Sequence, residues 1–210
     1  MLASPGRIVA LDARVILHGA EVAEGDLPRP AIRPYPVQYV WRWTTDENLP
    51  VVIRPIRPED EPSMVKFHGT ISDESVYFRF FHAEKLSSRV AHDRLFPKCF
   101  IDYDREMALV ADFHNLQTDQ HEILGVARLT KMLAENEAEI AVVVSDAKQG
   151  NGLGTEMLSR LIDVARAEKL ERVVANILPE NLAMRSLANR FQFQTQPTDD
   201  PSMVVAVLKL

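Results

Sequence analysis

Three glycines stand within five residues of one polar loop, and the chain becomes helical directly after them. The loop belongs to the segment Ser145–Leu158, SDAKQGNGLGTEML, which has glycines at positions 150, 152 and 154. Glycine lets the backbone approach a ligand closely and adopt positive φ at little cost. Backbone N–H groups at a helix N-terminus attract anions. The loop therefore predicts an anion site, most naturally one for a pyrophosphate.

Two common phosphate-binding motifs do not fit this spacing. A P-loop requires GxxxxGK[ST], and no Lys-Ser/Thr pair follows the glycines here. A dinucleotide-binding fold prefers GxGxxG, whereas the spacing here is Gly-x-Gly-x-Gly. A glycine-rich turn without a ligand is a third interpretation, and the loop residues alone leave it open.

Hydrophobic patterning predicts the elements that position the loop. From Leu49 the predicted order is β-α-α-α-β-β-β-α-β-α-β. Three apolar strands follow one another directly before the loop, and the third helix is predicted in SSRVAHDRLF. A strand, the loop, a helix and a further strand imply a βαβ crossover on a mixed sheet. The first 48 residues are predicted to be an N-terminal extension and linker, because four prolines between positions 28 and 36 favour extended backbone. We expect one α/β (α+β) domain over residues 49–210.

Composition excludes several classes of function. The net charge of −6 argues against nucleic-acid binding, which needs a basic face. The only cysteine is Cys99, which rules out an intrachain disulfide and fits a reducing cytoplasm. The six histidines lack metal-site spacing, so no metal is expected. No apolar run is long enough to predict a membrane span, and we expect a cytoplasmic protein.

The pattern Gln149-x-x-Gly152-x-Gly154 resembles the Q/R-x-x-G-x-G/A signature of the GNAT superfamily, whose members are acyl-coenzyme A-dependent N-acyltransferases. The likeness in element order spans roughly Leu49 to Leu210. It implies a GNAT fold, with a mixed, mostly antiparallel sheet of six to seven strands and four to five helices. It also implies acetyl-CoA as co-substrate. The residues implied to bind it are Val142, Val143, Val144, Gln149, Gly150, Asn151, Gly152, Leu153, Gly154, Thr155 and Asn181.

A second resemblance concerns the segment before the sheet. IRPIRPEDEPSMVKFHGTISDESVYFRFF, residues 53–81, is similar to the opening of bacterial Pat-type protein lysine acetyltransferases. VALDARVIL followed by LPRPAIRPYP resembles the tail of the ADP-forming acyl-CoA synthetase-like region that often precedes their GNAT domain. An ordinary N-terminal extension is the alternative. The resemblance implies a protein lysine as acceptor, for which an acyl-CoA synthetase is a candidate.

Glu139 is the candidate general base. It stands ten residues before Gln149, where GNAT members with a glutamate base carry it, at the start of a strand whose main chain would pair with the pantetheine arm. We expect apolar neighbours to raise the pKa of its carboxyl toward the working range. Glu137 on the same face is the fallback, and a solvated glutamate at a strand end is the alternative.

Two further positions qualify the assignment. Ala188 occupies the place where the family often has a tyrosine that protonates the leaving thiolate, so the general acid is unassigned. Tyr77 and Phe78 lie in an aromatic segment predicted mainly as core, although either is a candidate to touch the acceptor. The sequence thus predicts direct acetyl transfer to a protein lysine within a ternary complex. A small-amine acetyltransferase and a non-catalytic acyl-CoA sensor are the alternatives.

Overall fold

A computed structural model describes residues 2–4, 7–9, 17, 19, 21–22, 33–132, 136–196, 198 and 200–210. The chain divides into two compact units, Met1–Ala31 and Ile32–Leu210. In the first unit, strand β1 (Leu2–Ser4) pairs antiparallel with strand β2 (Arg7–Val9). Residues 10–16 of the segment VALDARVIL, and the first two prolines of the predicted linker, lie outside the described residues.

The second unit is built on one sheet of eight strands. Their bounds are Trp41–Thr44 (β3), Pro50–Pro55 (β4), Glu106–Asn115 (β5), Gln120–Lys131 (β6), Glu137–Val144 (β7), Arg172–Ile177 (β8), Gln194–Gln196 (β9) and Val204–Lys209 (β10). The strand order is β3-β4-β5-β6-β7-β8-β10-β9. Among these described strands β7 and β8 form the only parallel pair.

Six α-helices are found in the described part of the chain. Their bounds are Glu61–His68 (α1), Asp73–Phe80 (α2), Leu86–Arg89 (α3), His92–Cys99 (α4), Leu153–Ala167 (α5) and Leu182–Arg190 (α6). Within those described ranges, no helix is both long and apolar enough to cross a membrane.

The two faces of the sheet bury separate apolar clusters. On one face, α5 contributes the fully buried Met157, Leu158 and Leu161, which pack with the β7 residue Ile140. Each such side chain contributes about 1.5–3 kcal/mol through burial. The other face packs against α1, α2 and α4, and the partly buried Val143 of β7 packs against this second cluster. Because side chains alternate along a strand, Glu139 shares the second face with Val143.

The predicted fold class is confirmed. The sheet has two strands, β3 and β9, beyond the six of the predicted element order, and the described residues form six helices against the four to five predicted. Strand β3 falls inside the segment that we predicted as linker. Its four residues are too few to show a clear strand pattern, and the nearby prolines favoured a linker. Strand β9 has only three residues, all exposed. The predicted third helix is two helices, α3 and α4, because Ala91 adopts extended backbone between them.

Candidate active site

The glycine loop connects β7 to α5 and leaves main-chain N–H groups available at the helix start. Gly150 and Gly152 have φ of 79° and 84°, in the left-handed region that favours glycine. Gly152 is the N-cap residue of α5, and it has no side chain to accept a hydrogen bond from the first turn. The first N–H groups of an α-helix have no acceptor within the helix. The loop therefore has the geometry of an anion site, as its spacing predicts.

Gln149 fixes the loop to its surroundings. Its Nε2 donates to the Val144 carbonyl oxygen at 3.2 Å and lies 3.3 Å from both Ser75 Oγ and Asp146 Oδ1. The Ser75 hydroxyl in turn donates to Asp146 Oδ1 at 2.7 Å. These bonds join the end of β7, the loop and the N-terminal turn of α2, so the side chain of Gln149 sets the position of the loop.

A cavity of about 590 Å³ lies between the loop, β7, α2 and α6. Nine of the twelve residues predicted for the site line it, namely Val142, Val143, Val144, Gln149, Gly150, Gly152, Gly154, Thr155 and Asn181. The predicted residues outside the lining are Glu139, Asn151 and Leu153. Leu153 is 1% exposed and belongs to the core, so only its main chain can contribute to an anion site.

Asn151 is buried, and its side chain has an unusual environment. Neither its Oδ1 nor its Nδ2 has a hydrogen-bond partner among the described residues. Its carbonyl oxygen accepts a hydrogen bond of 3.3 Å from the backbone N–H of Asp46. The main chain of Asn151 thus links the loop to the turn between β3 and β4.

The strands β7 and β8 separate beside this cavity. Their parallel pairing runs only from Glu137–Arg172 to Glu139–Val174, whereas β7 continues to Val144. On its other side, β7 stays paired with β6 as far as Val144. The free side of β7 therefore offers main-chain groups to an extended ligand, as in the addition of a strand.

Glu139 marks the point where this opening begins. Asn176 of β8 donates from Nδ2 to Glu139 Oε1 at 3.1 Å. The structure thus gives Glu139 a polar neighbour where we expected apolar walls. The fallback residue, Glu137, is buried, and its carboxylate accepts a hydrogen bond from Arg172 Nε. Glu139 is consequently the better placed of the two carboxylates to meet an amine.

Arg79 is a cavity residue that the sequence analysis missed. It follows Ser75 by four residues on α2, and both side chains line the cavity. Burial lowers the pKa of the Arg79 guanidinium, as does the charge of Arg128, whereas Glu139 and Glu106 raise it. Its helical spacing from Ser75 was the available signal, but the surrounding aromatic residues indicated core. Of those aromatics, Phe78 lines the cavity.

Helix α6 forms the opposite wall. Asn181 caps this helix, since its Oδ1 accepts a 3.0 Å hydrogen bond from the Met184 N–H, and it also lines the cavity. Asn181 can therefore cap α6 and still face the cavity, where it is predicted to bind acetyl-CoA. Ala188 is 3% exposed and packs in the core. Position 188 provides no hydroxyl for a leaving thiolate.

The turn between β3 and β4 places acidic residues at the loop, which the sequence analysis did not anticipate. Asp46 lines the cavity, and a Cβ atom added to Gly152 would lie 3.1 Å from Asp46 Oδ2. The neighbouring Glu47 accepts a hydrogen bond of 3.0 Å from Lys148 Nζ, which lowers the pKa of Glu47. A carboxylate therefore faces the start of α5, where an anionic ligand would bind.

Comparison with known proteins agrees with this geometry. The family model described as acetyltransferase (GNAT) domain matches residues 51–194. An acetyltransferase of Pseudomonas aeruginosa is 32% identical over 171 residues, which cover 81% of this chain and 89% of that protein.

Two solved structures show the same fold. The GNAT domain of S. lividans PAT matches with a TM-score of 0.75 and 24% identity, covering 84% of this chain and all of that one. Mycobacterium smegmatis RimJ in complex with CoA-disulfide matches with a TM-score of 0.63 and 17% identity, covering 81% and 86% of the two chains. The family match over residues 51–194 identifies the chain as a member of the GNAT acetyltransferase family.

Proposed function

We propose that this protein transfers the acetyl group of acetyl-CoA directly to the ε-amine of a protein lysine. The observation that carries the proposal is the continuity of the site. The glycine loop and the free side of β7 line one cavity, and Glu139 is the last residue of β7 paired with β8, at the point where the two strands separate. A phosphate-bearing thioester and an amine acceptor can meet along such a path.

The donor half of the site suits coenzyme A. The N–H groups at the start of α5 would hold the pyrophosphate, because the helix dipole and the unpaired donors act together there. The free main-chain groups of Val142–Val144 would pair with the amides of the pantetheine arm. The CoA-disulfide bound to RimJ supports this assignment for a protein of the same fold.

The acceptor must lose a proton before it can attack. A free lysine amine has a pKa of about 10.4, so it is mostly protonated at neutral pH. Glu139 accepts this proton, directly or through one water, while Asn176 orients its carboxylate. A main-chain N–H of β7 polarises the thioester carbonyl. With Ala188 at the tyrosine position, solvent supplies the proton to the leaving thiolate.

A protein acceptor is favoured by the similarity to the GNAT domain of PAT. By the resemblance of the opening segment, an acyl-CoA synthetase in the cytoplasm is the candidate substrate, and an upstream synthetase-like region remains a prediction. A small amine is the alternative acceptor. The buried Ala188 supplies no general acid, which favours the second alternative, a module that binds acyl-CoA without turnover.

The test measures thiol release from acetyl-CoA with an acyl-CoA synthetase as acceptor. Glu139→Gln should lower kcat about 100-fold or more, because a general base contributes about 10²–10⁴-fold. Calorimetry should show unchanged coenzyme A affinity. Glu59→Gln is the matched control, since Glu59 is exposed and does not line the cavity.

Full activity in Glu139→Gln would remove this residue from the base role. Turnover with polyamines or amino acids, but with no protein, would move the assignment to the small-amine alternative. Coenzyme A binding without turnover on any amine would move the assignment to the non-catalytic acyl-CoA sensor.

A further inference from the structure

Arg79 is a cation in the cavity wall, and none of the residues that the structure describes provides it with an anionic partner. Within the described ranges its guanidinium makes no hydrogen bond or ion pair, and its Cζ lies 5.1 Å from the centroid of the Phe80 ring. By contrast, the buried Arg54 bonds to Asp60 at 2.6 Å and to Asp112 at 3.0 Å. A partly buried guanidinium normally has such partners, because burial of an uncompensated charge is unfavourable.

The carboxylates around Arg79 are already engaged. Glu106 accepts a hydrogen bond from Arg128, which also donates to the Lys98 carbonyl oxygen at 2.9 Å. Glu139 accepts from Asn176 at 3.1 Å. Both carboxylates influence Arg79 through their charge, yet neither bonds to it. The donors of Arg79 are thus available to a ligand that enters the cavity.

The position of Arg79 indicates which ligand group it would meet. It lines the cavity and also feels the charge of Glu139, the proposed acceptor of the amine proton. An amine that approaches Glu139 brings its own neighbouring groups toward Arg79. The planar fork of a guanidinium matches the two oxygens of a carboxylate.

We propose that Arg79 binds a carboxylate carried by the acceptor close to the amine that is acetylated. This inference rests on the proposed function and specifies its substrate class. Two sources supply the same chemistry. One is an acidic side chain next to the target lysine in a protein, and the other is the carboxylate of a free amino acid.

Matched acceptor pairs test the proposal by thiol release from acetyl-CoA. One pair is L-lysine and L-lysinamide, and the other is two peptides with Glu or Gln beside a single lysine. For one pair, the wild type should prefer the carboxylate member about 10- to 100-fold in kcat/KM, the ratio expected for a charged hydrogen bond. The pair that shows the preference identifies the source.

Arg79→Ala should bring this ratio close to one, and Arg79→Lys should restore part of it, because lysine retains the charge without the fork. Arg166→Ala is the matched control, since Arg166 is exposed in the last turn of α5 and does not line the cavity. It should keep the wild-type ratio.

Three outcomes would overturn the proposal. In one, Arg79→Ala retains the preference. In another, the wild type prefers neither carboxylate member. In the third, Arg79→Ala changes the choice between acetyl-CoA and succinyl-CoA instead of the choice of acceptor, so that Arg79 recognises the acyl group.

Calorimetry separates failure of this inference from failure of the proposed function. The same four acceptors are titrated into the CoA-bound protein. If no amine is turned over but the carboxylate members still bind in an Arg79-dependent manner, the acetyltransferase proposal fails while the carboxylate site stands. Equal binding of the acid and amide members in the wild type removes the carboxylate site.

Discussion

The proposed site has a donor half and an acceptor half, and the two are built differently. The donor half consists largely of main chain, in the glycine loop and on the free side of β7. The acceptor half consists of side chains from three separate elements, Arg79 on α2, Glu139 on β7 and Asn176 on β8. Binding by the donor half should therefore depend mainly on backbone conformation, whereas single side-chain substitutions in the acceptor half should alter chemistry and specificity.

On coenzyme A affinity, the largest effect is expected for Gly152→Ala in the donor half. The φ of 84° is unfavourable for alanine by about 1–2 kcal/mol, and the new Cβ would also lie 3.1 Å from Asp46 Oδ2. Coenzyme A affinity measured by calorimetry should fall about 10- to 30-fold. Gly154→Ala should lose less, because its Cβ would meet Val144 Cγ2 at an ordinary 3.7 Å. Equal losses in both variants would contradict this account of the loop.

A smaller effect, confined to the acceptor half, is expected for Asn176→Ala. The variant removes the hydrogen bond that orients Glu139. A hydrogen bond to a charged group contributes about 1.5–3 kcal/mol, and kcat should fall about tenfold. Coenzyme A affinity should remain unchanged, which distinguishes this variant from Gly152→Ala. Weakened coenzyme A binding in Asn176→Ala would show that the two halves are not separable.

The smallest effect, and the one of opposite sign, is expected for Asp46→Asn. Asp46 presents a carboxylate to the start of α5, where the pyrophosphate is expected to bind. Removal of one like charge should tighten coenzyme A binding about fivefold at low salt, since two unit charges 4 Å apart in water interact by about 1 kcal/mol. The gain should shrink at high ionic strength. Weaker binding in this variant would indicate that Asp46 assists the donor.

The contrast between the halves also explains what the sequence could reveal. The loop was predictable because Gly150, Gly152 and Gly154 form a local pattern of three glycines in five residues. Asn176 was not predictable, because its contact joins residues that are distant along the chain. Arg79 was missed because the aromatic residues around it indicated core. The polar environment of Glu139 depends on a partner 37 positions away.

The fold shows the same division between local and distant signals. The long amphipathic α5 and the apolar strands β5–β7 carry extended patterns, and their existence was predicted correctly. Strand β3 has four residues beside a proline-rich stretch, so only its pairing with β4 defines it. That pairing brings Asp46 to the loop, which is why the acidic turn was missed along with the strand.

The short parallel pairing of β7 with β8 has a consequence for solvent. Main-chain amides on the free side of Val142–Val144 lack the ladder that shields the rest of β7. They should exchange their hydrogens with deuterated water faster than amides of Glu137–Glu139. A bound donor that completes the ladder would slow this exchange, so the occupancy of the site can be followed at individual amides without any turnover.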